Sequence, residues 1–305
     1  MIKNSIQTFG ICNLDTSHPA AWAPYLKERV ERVLVYDDST IHPPEYREAF
    51  CREHGFELCE NWTDFVDRCE AVAIMGVDWD RHVEQARPFV ERDRTVFIDK
   101  PIACRDRDLD EIESWKGKKL VLGSSTRLHE RLQAWRKETG VRSILSTVGQ
   151  DEPFAYASHA VEMGQTVAGT GAEGVRWLAD GRPSSFQVRH RSGVFWVVQI
   201  QNPHAVFHVL AGGEERTESI HVKQPGEPYS LHGEMVSEVL GVTRGEEPKT
   251  PVEEAVEAIC ILRAAHTSRE RGGEWVALSD AKLLEFSGEA YAAEYRERKY
   301  PGGVT

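Results

Sequence analysis

The residues best placed to do chemistry are Phe97-Ile98-Asp99-Lys100-Pro101, where an apolar run ends in a lysine fixed by a following proline. A lysine directly after a buried strand sits at the strand's carboxyl end, where open α/β sheets bind their ligands. From there it can donate a proton or a hydrogen bond to a substrate hydroxyl or carbonyl and promote proton transfer at that oxygen. Most strand-end lysines are solvated surface, so position alone leaves both readings open.

A second constellation lies near the N-terminus. Gly10-Ile11-Cys12-Asn13-Leu14-Asp15 occupies the place of a Gly-x-Gly-x-x-Gly loop between a first strand and a first helix. In such a loop the glycines let the backbone reach a pyrophosphate at the helix N-terminus. Only the first glycine is kept. Asp15 stands where the third would pack helix on strand, and its charge would repel a pyrophosphate. Two features still favour a nucleotide. Asp37 or Asp38 closes a β-rich run and is placed to hydrogen-bond a ribose hydroxyl and reject a 2′-phosphate, although the pair could equally open a solvated turn. Ser17 and the helix start beside Pro19 can hold an anion. Asp15, His18, Asp78, Asp80 and His82 offer oxygen and imidazole ligands that suit several divalent ions. No compact ligand motif joins them and strand-end acids usually cap helices, so no metal is expected. His204 and His208, on one strand-like run, share a face without being ligands.

The elements that must position these groups alternate in the first half. Strand runs are expected over 8–14, 32–36, 56–59, 71–75, 95–98 and 120–123. Helices fall between them, from Pro19 onward and over 44–54, 62–68, 82–91 and 108–115. Apolar strands without polar alternation, separated by helices, indicate a parallel sheet covered on both faces, a Rossmann-like doubly wound α/β domain over 1–124. The second half, 125–305, changes pattern. Helices are expected over 129–138, 158–167 and 251–263, and strands over 144–148, 175–179, 186–190, 194–201, 205–211 and 219–222. Turn signals at Gly-Arg-Pro and Arg-Ser-Gly between consecutive strands suggest an α+β domain with a mainly antiparallel sheet.

Composition limits the partners. Lys and Arg total 37 against 49 Asp and Glu, a net charge of −12. With no dense basic block, nucleic acid is disfavoured. No stretch approaches about 18 uninterrupted apolar residues, so no membrane span is expected. The opening residues lack a charged leader with a long apolar run, which reads as a cytoplasmic protein. Six cysteines show no CxxC pair and are expected to be reduced and mostly buried.

The segment 95–101, followed by a polar stretch and a helix, resembles the glucose–fructose oxidoreductase / inositol dehydrogenase (Gfo/Idh/MocA) family. That family carries Glu-Lys-Pro at this point, and Asp99 is a conservative departure. The resemblance extends through 73–82, 121–127 and 241–268, almost the whole chain. It implies an NAD-dependent oxidoreductase acting on a sugar, polyol or related hydroxyl compound, with NADP less favoured, and a homo-oligomer formed through the second-domain sheet. It implies cofactor contacts along Gly10, Cys12, Asn13, Asp15, Ser17 and His18, then Asp37 and Asp38, then Gly76, Asp78 and His82, and finally Asp99, Lys100 and Pro101. The family also places a histidine on the first helix region of the second domain, with an aspartate four residues earlier. His159 matches, position 155 is alanine, and Tyr156 lies on roughly the same helical face. His159 would take the hydroxyl proton while Lys100 orients or polarises the oxygen. The broken glycine loop leaves an alternative: a sugar lyase or isomerase, or a non-catalytic binding protein, without ordinary dinucleotide turnover.

Overall fold

The computed structural model describes residues 6–149, 154–202, 207–223, 229–280 and 283–302. By packing, the chain forms two compact units. The first comprises Met1–Gly123, His232–Val252 and Ser287–Thr305; the second comprises Ser124–Leu231 and Glu253–Phe286.

The first unit is built on a six-stranded parallel sheet of order β3-β2-β1-β4-β5-β6. Its strands are β1 (Ile6–Cys12), β2 (Val30–Tyr36), β3 (Glu57–Leu58), β4 (Ala71–Ile74), β5 (Thr95–Ile98) and β6 (Leu120–Leu122). Every residue of β4 and β5 is buried, as both-face coverage requires. The helices are α1 (His18–Arg29), α2 (Pro44–His54), α3 (His82–Glu91) and α4 (Asp106–Ser114). Strand order reverses between β1 and β4, which makes their carboxyl ends the expected ligand crevice.

The second unit carries α5 (Glu130–Arg136), β7 (Val141–Val148), α6 (Ala157–Ala168), β8 (Ala172–Ala179), β9 (Ser184–His190), β10 (Phe195–Ile200), β11 (Phe207–Gly213) and β12 (Thr217–Lys223). Its sheet runs β12-β11-β7-β10-β9-β8-β13, antiparallel except for the β7–β10 pair. Helix α6 lies on β10 so closely that a Cβ on Gly164 would meet the Trp196 indole at 2.4 Å. That close approach fits a helix buried along almost its whole length.

Three sequence expectations need correction. The helix expected over 62–68 forms only a 3-10 turn over Trp62–Phe65, because so short a segment gains too few i→i−4 bonds to offset nucleation. The second domain is not contiguous. Helix α7 (Leu231–Thr243) packs by Gly233 against the Tyr25 ring of α1, where a Cβ would sit 2.7 Å from the ring. Helix α9 (Gly288–Lys299) also belongs to the first unit. Helix α8 (Val252–Glu270) runs past the expected end at 263 and leads to the short β13 (Val276–Ala277). His204 and the start of the strand expected over 205–211 lie outside the described residues. None of the six cysteines is in a disulfide among the described residues, and five are buried. Among the described residues no helix is long and apolar enough to cross a membrane.

Candidate active site

At the end of β5 the ladder continues one step, with the Asp99 N–H donating to Ile74 O at 3.0 Å. This buries the Asp99 side chain and orients it. Its Oδ1 accepts the Lys100 N–H at 2.8 Å, and its Oδ2 lies 2.5 Å from His18 Nδ1. Burial alone would raise the carboxyl, but the charge and hydrogen bond of His18 outweigh it and hold the group at about 2. A carboxylate only accepts, so His18 Nδ1 carries a proton and donates to Asp99 Oδ2. Nε2 has no hydrogen-bond partner among the described residues, and the His18 side chain is 23% exposed. The His18 ring leans on His232 at 5.3 Å. Lys100, partly exposed, leads into a cis peptide to Pro101. His82 is different. It is buried, with Nε2 2.8 Å from Gly76 O and Nδ1 3.2 Å from Ile102 O. Burial pushes its pKa down, and the single N–H of a neutral ring goes to the nearer carbonyl, Gly76 O in the loop after β4.

The opposite side of the crevice is closed on itself. Gly10 lies inside β1, and a Cβ there would meet the Phe65 ring at 2.7 Å; it is glycine to admit that ring, not a phosphate. The strand runs on to Cys12, a buried thiol pushed well above its ordinary pKa by burial. The turn falls at Asn13, whose φ is 71° and whose Oδ1 accepts Gln85 Nε2 at 2.9 Å. Asp15 is buried beside Gly76, with Oδ2 accepting the Val77 N–H at 2.8 Å. Burial raises its carboxyl to about 8, so at neutral pH it is protonated and the expected repulsion is absent. Its bulk remains.

The two acids after β2 are also engaged. Asp37 accepts the Leu14 N–H at 2.9 Å and the Ser39 N–H at 3.3 Å and is 1% exposed. Asp38 accepts the Thr40 N–H at 3.0 Å and pairs with Arg81. Burial works against its charge, yet the Thr40 hydrogen bonds and the Arg81 charge keep its carboxyl below the ordinary value. Carboxylate oxygens of Asp15, Asp37 and Asp38 come within 4.8 Å of one another, with Arg81 as the cation that answers them. Of the other suggested metal ligands, Asp78 accepts the Asp80 N–H at 3.1 Å, and Asp80 accepts from Arg105 at 2.5 Å. Asp78 caps the 3-10 turn Trp79–Arg81, and Asp80 is the ion-pair partner of Arg105. Ser17, at the start of α1, is exposed and makes no side-chain cap bond.

In the second unit His159 rises from α6, its Nδ1 2.6 Å from Ser124 Oγ. The ring packs on Phe207 at 4.8 Å, with Tyr156 at 5.9 Å. Ala155 leaves no carboxylate there, so a hydroxyl orients the imidazole. The loop carrying that hydroxyl is held by a network the sequence reading missed. Glu162 Oε2 accepts both the Ser124 N–H and Arg127 Nε at 2.7 Å, and Arg127 Nη2 donates to Gln165 Oε1 at 2.7 Å. Spacing of 162 and 165 along α6 was the available signal; the partner loop at 124–127 was not.

No protein-family model and no curated protein matches the sequence. Solved structures do. Myo-inositol dehydrogenase from Lactobacillus casei, in complex with NAD(H) and myo-inositol, is 13% identical, with 92% of this chain and 98% of that one covered at a TM-score of 0.75. The WlbA dehydrogenase from Bordetella pertussis, in complex with NADH and UDP-GlcNAcA, is 18% identical over 89% of this chain and 98% of that one, with a TM-score of 0.70. Levoglucosan dehydrogenase, in complex with NADH and levoglucosan, is 15% identical over 90% of this chain and all of that one, with a TM-score of 0.68. The fold is the Gfo/Idh/MocA fold.

On a Gfo/Idh/MocA fold the crevice would hold a nicotinamide dinucleotide, and this chain fits it unequally. At the start of α1 Ser17 is exposed, and at the β5 end His18 and Lys100 are partly exposed. The β2 end does not: Asp37 is buried and committed to backbone N–H groups, Asp38 is paired, and α9 packs onto the neighbouring loops. As packed, the adenosine side does not fit the group.

Proposed function

We propose that the chain is an oxidoreductase acting on a hydroxyl of a sugar, polyol or related compound, with NAD rather than NADP as its redox partner. The observation that carries this reading is Lys100, set at the carboxyl end of a buried strand by the Asp99 carboxylate that also binds His18, on a fold shared with dehydrogenases of such compounds. Lys100 orients or polarises the substrate oxygen, and His159, aligned by Ser124, takes the hydroxyl proton. Tyr156 borders that histidine. Titration of nucleotide-free protein with NAD and NADP tests the reading, followed by turnover with myo-inositol, levoglucosan and a UDP-sugar acid. Saturable NAD binding with turnover supports it; a folded protein that neither binds nor turns over sinks it.

A second reading is favoured by the buried Asp15 and the closed β2 end: an acid–base lyase or isomerase, or a binding protein, without dinucleotide turnover. Absence of NAD binding combined with substrate-dependent proton exchange would select it. Self-association through the second sheet belongs to the same proposal, supported by Phe195 and Leu210 exposed on β10 and β11. Sedimentation velocity of wild type and Phe195→Glu reads it.

A further inference from the structure

The crevice of an open α/β sheet lies outside the carboxyl ends of the strands at the order reversal, with the adenosine ribose beside the acid that ends the second strand. In this chain that ground is taken by α9. Ala292 of α9 packs with Ile41, from the loop after β2, and Val77, from the loop after β4, in one buried apolar cluster flanked by Tyr291 and Tyr295. Tyr291 stacks on Trp79 with centroids 5.1 Å apart. The helix start is equally close. A Cβ on Gly288 would lie 2.5 Å from Asp78 Oδ1 and 2.6 Å from Trp79 N, and the Gly288 N–H donates to Asp80 Oδ2 at 3.0 Å. At the far end Lys299 Nζ donates to Asp15 O at 3.1 Å and to His42 Nε2 at 2.9 Å, while Tyr300 Oη meets His42 Nδ1 at 2.6 Å. Between helix and loops remains a cavity of about 280 Å³, reached by Thr40, Asp78, Glu289 and Glu297. That is below the roughly 300–1,000 Å³ of drug-sized ligand sites, and its three acids, Asp78, Glu289 and Glu297, outnumber the one lining cation, Arg296, so the balance of charge opposes a pyrophosphate.

We infer that α9 and the adenosine half of a dinucleotide compete for the carboxyl ends of β2 and β4, so that a dinucleotide binds only when α9 lifts. The inference rests on the oxidoreductase reading. Two features make the helix releasable. Only Gly288 and Ala292 of its 12 residues are buried, and elements with few buried contacts open at the lowest free energy. Its attachments at the two ends are a few hydrogen bonds rather than a deep core.

The test uses the full-length protein. NAD is titrated calorimetrically into wild type, into Tyr291→Ala/Ala292→Asp and into Gly288→Val, with Glu294→Ala on the exposed face as control. Amide hydrogen exchange of each is followed with and without NAD. Gly288→Val forces the helix off its seat because the added carbon meets backbone atoms. The expected result is weak binding by wild type and the control, at least about tenfold tighter binding by the loosened variants as the competent fraction rises, and faster α9 exchange when NAD is added to wild type. Tight wild-type binding with α9 still protected would overturn the inference and leave the oxidoreductase reading standing. A variant whose α9 exchanges freely, with the rest protected, but which gains no affinity would overturn both.

Discussion

The two sides of the first sheet's crevice use the same kind of residue to opposite ends. At the β5 end one buried carboxylate, Asp99, is charged and bound to His18 and to the Lys100 N–H, while both of those residues stay partly exposed. At the β1, β2 and β4 ends four acids, Asp15, Asp37, Asp38 and Asp78, accept bonds from backbone N–H groups of their own or neighbouring loops, and Asp15 is held well above the ordinary carboxylate range by burial. An acid that satisfies backbone donors is architecture, and its position at a strand end then says little about a ligand. A buried acid that orients a second, partly exposed titratable group is the arrangement that proton transfer requires.

The largest effect that would break the comparison is at Lys100. Lys100→Met is expected to lower turnover by about 10²–10⁴-fold while thermal unfolding stays close to wild type, because the side chain is not part of the buried core. Equal losses of activity and stability would move Lys100 into the architectural class. Next comes Asp99→Ala, which leaves the Lys100 N–H and the His18 ring without their carboxylate. A loss of about 3 kcal/mol is expected in chemical denaturation, as for other broken buried pairs. Because the Asp99 carboxyl falls from 3.8 to about 2 on folding, its contribution is complete above about pH 4 and disappears as pH drops toward 2.

Asp15→Asn sharpens the contrast with the opposite sign. The Asp15 carboxyl rises from 3.8 to about 8 on folding, so between those values the folded chain holds a proton that the unfolded chain releases. Wild-type stability therefore declines as pH rises through that window, by up to about 1.4 kcal/mol per pH unit. The amide keeps the shape and removes the titration. Denaturation midpoints at pH 5, 6.5 and 8 should converge at the acid end and separate in favour of Asp15→Asn at the alkaline end. Parallel curves would show that Asp15 is charged in the folded state, and the β1 loop would again repel a pyrophosphate.

Much of this was legible beforehand, for physical reasons that also explain the rest. Strands β4 and β5 announced themselves as unbroken apolar runs, and α2 and α3 were framed by Pro44 and Gly55 or by charged flanks, so their limits match the structure. Lys100 could be placed because a strand end is a local feature. Helix α9 could not: its sequence mixes charge on every side, and only its two small residues are buried, so no apolar stripe marks it. The dual commitment of Asp37 and the meeting of His18 with Asp99 depend on residues 23 and 81 positions apart. Composition and periodicity carry no information on such pairs. From the sequence His18, Asp99, Asp15 and Asp37 are all expected as cofactor contacts; in the structure the first two pair with each other, and the last two accept from backbone N–H groups.

The smallest expected effect separates helix chemistry from site chemistry at Ser17. An N-terminal serine that caps its helix typically contributes about 1 kcal/mol, but Ser17 makes no side-chain cap bond and is exposed. Ser17→Ala should therefore change stability by less than about 0.5 kcal/mol, the range of ordinary surface substitutions. If the start of α1 holds an anion, the same substitution removes a hydroxyl donor beside it. Binding of inorganic pyrophosphate, followed by calorimetry at low salt, should then weaken several-fold with stability unchanged. A stability loss without a binding change would instead make Ser17 a cap that forms in solution. Unchanged behaviour in both would leave the β5 end as the part of this crevice with groups available to a ligand, and would extend the closed, architectural character of the β2 end across to α1.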